Sequence, residues 1–178
     1  MNKSVTLRLR QISHLAGWTI AAALIALFCS FIISLSAQAA TTPVSIGSVA
    51  VPNGLDAQQI FVSGNYAYTT VSSDYLQIFD VSNSAAPVAL GSYNTPGMAL
   101  DVAVSGNYAY VADNTSGLQV VDVSNPASPA LAATVSSGTI GSPRRVVIVG
   151  NSAYVASLSS GLRILDITNP LAPSLGGS

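Results

Sequence analysis

Val102-Ala103-Val104-Ser105-Gly106-Asn107-Tyr108-Ala109-Tyr110-Val111-Ala112 is the stretch that decides the fold. Two β-prone runs flank a Gly-Asn pair, which predicts an antiparallel hairpin whose two-residue turn draws its positive φ angles from Gly106 and Asn107. Downstream, Asp113-Asn114-Thr115-Ser116-Gly117 is a polar run of turn formers, and Leu118 to Val123 reads as a third strand. Ser124-Asn125-Pro126-Ala127-Ser128-Pro129 then breaks the ladder, because each proline lacks an N–H and restricts the residue before it. Ala130 to Ser136 supplies a fourth strand. No helical periodicity competes after residue 40.

The same pattern occurs three times. Gly64-Asn65-Tyr66-Ala67-Tyr68 and Gly150-Asn151-Ser152-Ala153-Tyr154 repeat the hairpin, and the glycines Gly64, Gly106 and Gly150 are 42 and 44 residues apart. Sixteen residues after each glycine stands an aspartate (Asp80, Asp122, Asp166), and seven further on a proline (Pro87, Pro129, Pro173). The frames are thus 64–87, 106–129 and 150–173. Four antiparallel strands in a fixed period of this length describe a β-propeller blade. Val146-Val147-Ile148-Val149 and Leu162 to Ile167 are apolar on both faces, as expected of a blade held between two others. The expected class is all-β: about three four-stranded antiparallel blades of 42–44 residues in an incomplete or open propeller, preceded by a signal-peptide helix.

Leu76-Gln77-Ile78-Phe79-Asp80, Leu118-Gln119-Val120-Val121-Asp122 and Leu162-Arg163-Ile164-Leu165-Asp166 resemble the Leu-Val-Ile-Val-Asp core of the LVIVD repeat. The continuations Val81-Ser82-Asn83, Val123-Ser124-Asn125-Pro126 and Ile167-Thr168-Asn169-Pro170 are similar to that family too. The resemblance covers nearly all of residues 43–178 and implies a propeller of a secreted or surface protein of bacteria or archaea. The Trp-Asp and Gly-His marks of WD40 blades are absent.

Residues 1–39 differ in kind. Lys3, Arg8 and Arg10 precede the apolar run Leu15 to Ile33, and Ser36-Ala37-Gln38-Ala39 has the small residues of a secretory cleavage site. The segment reads as a signal peptide cut after Ala39 or Ala40, or as an uncleaved anchor, since the run approaches the roughly 20 residues that span a bilayer. Membrane contact is expected only through this segment. Phe28 before Cys29 is too large for a lipoprotein site. Without the segment the chain loses its only His, Trp, Cys and Lys. Residues 40–178 form the repeat domain, where three arginines face seven aspartates, a formal charge of −4. That composition suits a secreted, periplasmic or cell-surface protein without disulfides, and it excludes a basic stripe for nucleic acid.

The repeats start and stop out of phase. Thr42 to Val49 aligns with Ala86 to Tyr93, which makes residues 43–49 an orphan strand of the fourth type. Pro173 to Ser178 covers only the start of another. Three blades are fewer than the roughly four to eight that close a ring, so the expectation is the front part of a longer protein, with pairing of two arcs as the alternative. An open arc also exposes apolar faces and strand edges to self-association.

Catalysis finds little material. Residues 41–178 contain no His, Cys, Lys or Glu, which removes the usual bases and nucleophile pairs. Asp80, Asp122 and Asp166 hold equivalent places, so their carboxylates are expected to accept backbone N–H groups in the following turns. The tyrosines at 66, 68, 108, 110 and 154 read as blade packing. Recognition is expected where the copies disagree. Five residues before each frame glycine stand Gln59, Asp101 and Arg145, at the mouth of the central channel. Arg144 is beside them, and Asp74, Asp113 and Asn114 occupy loops expected on the same face. Asp113 to Gly117 lacks the alternating acidic ligands of a calcium loop, so neither metal nor cofactor is expected. The sequence reads as an exported, non-enzymatic module for a protein or carbohydrate ligand. A scaffold within a larger secreted enzyme and a spacer of a surface layer are the alternatives.

Overall fold

The computed structural model describes residues 45–71 and 74–176; the expected signal peptide or anchor, and residues 43–44 of the orphan strand, lie outside them. Among the described residues, twelve strands form three four-stranded antiparallel sheets. The first blade contains β1 (Ala57–Ser63), β2 (Tyr66–Val71), β3 (Tyr75–Asp80) and β4 (Val88–Asn94). The second contains β5 (Ala99–Ser105), β6 (Tyr108–Asp113), β7 (Gly117–Asp122) and β8 (Ala130–Val135). The third contains β9 (Pro143–Val149), β10 (Ser152–Ser157), β11 (Gly161–Asp166) and the two-residue β12 (Ser174–Leu175). Strands pair in chain order within each blade. The chain is therefore all-β, built of propeller-type blades in an incomplete ring. No described helix is long and apolar enough to cross a membrane.

The hairpins form where Gly-Asn falls, but only the glycine takes positive φ, at +57° for Gly64 and Gly106 and +56° for Gly150. Each asparagine keeps negative φ, which is the turn pattern with glycine at the first central position. The asparagine instead offers its carbonyl. Val81, Val123 and Ile167 donate their N–H groups to the oxygens of Asn65, Asn107 and Asn151 at 2.8, 2.8 and 2.9 Å. The frame aspartates complete the same corner: Asp80, Asp122 and Asp166 accept the N–H groups of Ser82, Ser124 and Thr168, each at 2.8 Å. One residue further, Asn83, Asn125 and Asn169 accept from Ala85, Ala127 and Leu171. Two consecutive side-chain turns thus carry the chain from the third strand to the fourth.

Blades pack face to face. The face of the first blade that looks toward the second presents Tyr68, Leu76 and Ile78, which meet Val102, Val104, Ala109, Val111 and Val121. The corresponding face of the second presents Tyr110, Leu118 and Val120, which meet Val146, Ala153, Val155 and Leu165 of the third. Tyr, Leu and Ile or Val on one face meet mainly Val and Ala on the other, so the interdigitation repeats with the sequence period.

The structure adds one element and corrects one expectation. One helical turn, α1 (Ser137–Ile140), stands between β8 and β9. It takes up the longer link of the 44-residue spacing, buries Ile140 in the seam, and ends at Gly141 with φ +79°. The orphan strand is also not a strand, since residues 45–50 join no ladder among the described residues. Its position is nevertheless that of a fourth strand. Gly47 lies against Ser84 and Ala85 of the first blade, as Gly91 of β4 lies against Pro126 and Ala127 of the second. Gly91 donates its N–H to Pro126 at 3.0 Å in that contact.

Candidate ligand groove

The innermost strands β1, β5 and β9 run beside one another and border a groove of about 520 Å³. Every one of them carries an irregularity at the same place. The ladder slips between Ala57 and Gln59, between Ala99 and Asp101, and between the partners of Pro143 and Arg145. A bulge bends its strand and re-aims the residues after it. Here those residues are Gln59, Asp101 and Arg145, and all three line the groove.

Their roles differ. Arg145 is exposed and donates from Nη1 to Oε1 of Gln59 at 3.0 Å, linking the third blade to the first. Asp101 is buried, and its Oδ2 accepts the N–H of Val146 at 2.9 Å, which fastens the second blade to the third. Of the residues expected at the channel mouth, the structure therefore brings Gln59 and Arg145 together with their polar groups toward the groove, and turns Asp101 into a joint between blades. Arg144 sits in the bulge itself and is exposed beside them.

Asp74, Asp113 and Asn114 do not line the groove. Asp113 is the buried end of β6 rather than a loop residue; its Oδ2 accepts the N–H of Gly97 at 2.8 Å. Its Oδ1 has no hydrogen-bond partner among the described residues, and burial, with the Asp74 charge a smaller contribution, holds its carboxyl above the ordinary range. Asn114 donates its N–H to Met98 at 3.0 Å, and the carbonyl of Asp74, at φ +72°, accepts from Thr95 at 2.7 Å. These three tie the inter-blade link at 95–98 to the neighbouring loops. Asp80, Asp122 and Asp166 have carboxyls held below the ordinary range, first by the hydroxyls and then by the N–H groups of Ser82, Ser124 and Thr168. No group of three or more His, Cys, Asp or Glu that could hold a metal occurs among the described residues.

One groove residue escaped the sequence reading. Phe61 lines the groove and packs against both apolar seams, at the position occupied by Ala103 and Val147 in the other blades. The copies disagree at this position too, and the disagreement goes unread because an aromatic residue on a strand passes for ordinary core.

The LVIVD repeat model matches residues 54–95, 96–137 and 140–178. Among solved structures, the crystal structure of Citrobacter koseri AztD is 20% identical over 79% of this chain and 36% of its own, with a TM-score of 0.43. A functionally unknown protein from Desulfotomaculum acetoxidans DSM 771 is 12% identical over 76% of this chain and 60% of its own, with a TM-score of 0.41. The chain thus spans only part of the length of either. No curated protein matches it.

Proposed function

Because the chain belongs to the LVIVD-repeat family, with three copies of the repeat, we propose that it is an exported, non-enzymatic interaction module that takes a protein or carbohydrate ligand in its central groove. The observation that carries this reading is the pairing of Arg145 with Gln59 at 3.0 Å across the groove. A guanidinium there keeps donors for a planar anion, and Arg144 adds a second exposed cation next to it. Apolar walls at Phe61, Val147 and Ile148 supply the contact area. The ligand group that fits is a carboxylate, borne by an acidic peptide or by a uronic-acid saccharide. Export is supported by the basic start, the apolar run and the small residues ending at Ala39. The non-enzymatic reading rests on the lack of His, Cys, Lys and Glu after residue 40.

Calorimetric titration of the exported chain tests the proposal. An Asp/Glu-rich peptide and a polyuronate oligosaccharide are each compared with a neutral counterpart. Binding to one acidic probe, lost in Arg145→Ala with an unchanged circular dichroism spectrum, is the expected result. Equal response to acidic and neutral probes, or none to any, rejects the groove as the site.

A further inference from the structure

The groove has an aromatic wall beside its polar pair. From Gln59 onward β1 is regular, with Gln59 opposite Thr70 and Phe61 opposite Tyr68, so Gln59 and Phe61 share one face of the strand. Two strand steps set them about 6.5–7 Å apart. Gln59 is held by Nη1 of Arg145 at 3.0 Å, while half-buried Phe61 packs against both apolar seams and still lines the groove. Neither residue follows the repeat. Phe61 stands where the other blades have Ala103 and Val147, and Gln59 where they have Asp101 and Arg145. Blade construction does not demand a ring here, since Ala103 fills the same strand position of the second blade at 3% exposure.

That spacing suits a pyranose ring with an exocyclic carboxylate. With the sugar lying on Phe61, the weakly positive C–H groups of one ring face meet the negative π-face of the side chain. The carboxylate carbon then lies about half of the spacing from the ring centre, and a charge-assisted hydrogen bond of about 2.8 Å covers the rest to the Gln59–Arg145 pair. The groove also follows β5 from Asp101 to Ser105, about 13 Å of strand, which leaves room for further sugars beyond the one on Phe61. A peptide fits less well. Peptides add to sheet edges through main-chain hydrogen bonds, and here the Val146 N–H on the edge of β9 is already donated to Asp101 at 2.9 Å. An Asp or Glu side chain, moreover, brings a carboxylate on a flexible stem and no rigid apolar face to set against Phe61.

We propose that the groove selects an acidic saccharide over an acidic peptide: a uronic-acid residue stacks on Phe61 and places its carboxylate on Arg145, which Gln59 holds in position. Phe61 is the side chain that sets the specificity, and Arg145 is the one that binds the anion. This assignment rests on the groove being the ligand site, and it adds the class of ligand and the residue that chooses it.

Calorimetric titration of the exported chain with trigalacturonate, its methyl ester and acetyl-triglutamyl amide tests this, with circular dichroism and thermal melting as fold controls. Trigalacturonate is expected to bind about tenfold more tightly than the peptide of equal charge, the effect of one aromatic stacking contact, and the methyl ester to lose that affinity. Phe61→Leu keeps an apolar side chain against both seams but removes the ring face, and it is expected to weaken trigalacturonate about tenfold. Phe61→Tyr retains the face and should restore the affinity. In the wild type, saturation of the aromatic protons is expected to transfer to the ring C–H protons of bound trigalacturonate; no transfer overturns the stacking without recourse to a variant. Equal losses in Phe61→Leu and Phe61→Tyr overturn it as well. Peptide binding that matches or exceeds trigalacturonate binding overturns the saccharide assignment, and if that binding is lost in Arg145→Ala the groove itself stands as the site. Binding of neither acid rejects the groove and this assignment with it.

Discussion

Asp101 and Val146 are joined across the second and third blades by a buried hydrogen bond of 2.9 Å from the Val146 N–H to Asp101 Oδ2. The aspartate belongs to the innermost strand of one blade and the amide to the innermost strand of the next, so the bond fixes their spacing at the groove wall. Asp101→Ala leaves that amide without its acceptor in a buried place and is expected to cost about 1–3 kcal/mol. Asp101→Asn keeps an acceptor and should cost less. Thermal denaturation of both variants measures the difference, and equal loss in the two means that the hydrogen bond contributes little.

The three turn aspartates predict acid sensitivity. Hydrogen bonds from Ser82, Ser124 and Thr168 hold the carboxyls of Asp80, Asp122 and Asp166 below their ordinary value of 3.8. A carboxyl whose folded pKa is lowered contributes stability that is fully present above its unfolded pKa and is lost as pH falls through the folded one. Melting temperature should therefore drop below about pH 4, and the triple variant with Asn at 80, 122 and 166 should show a shallower drop. An unchanged slope removes these turns from the account of acid unfolding.

Asp113 acts with the opposite sign. Its carboxyl is raised chiefly by burial, so the folded chain binds that proton more tightly than the unfolded chain, and the charged form weighs against folding at neutral pH. Stability should rise as pH is lowered from neutral toward the window just above 3.8, before the turn aspartates reverse the trend. Asp113→Asn retains an acceptor for the Gly97 N–H without the charge. It is expected to raise the melting temperature at pH 7 and to flatten the profile between pH 7 and pH 4. A lower melting temperature at pH 7 shows that the carboxylate is needed for the link at 95–98.

The division between what the chain states openly and what it hides follows from how local each interaction is. Hairpins, third strands and turn aspartates were legible because their partners lie within a few residues: Asp122 needs only Ser124. Gln59 and Arg145 were legible as groove residues because they break the period at one fixed phase. The bulges before them were not, since an extra residue in a ladder leaves no mark in composition. Asp101 and Asp113 read as solvent-facing polar groups, and only the approach of Val146 and Gly97 from other blades and links converts them into buried joints. Ile140 gave no periodic signal, because a single helical turn is too short to have a period.

Leu118 and Leu162 hold the same position in consecutive blades and differ only in what lies over them, which makes them a controlled pair. Leu118 is wholly buried between the second and third blades, and Leu118→Ala removes those contacts and opens a cavity, at an expected cost of about 2–5 kcal/mol. Leu162 faces outward from the third blade, so Leu162→Ala in the isolated chain should change stability by under about 0.5 kcal/mol. Denaturant unfolding of both variants measures the difference, and equal losses at the two sites mean that burial between blades is not what Leu118 contributes.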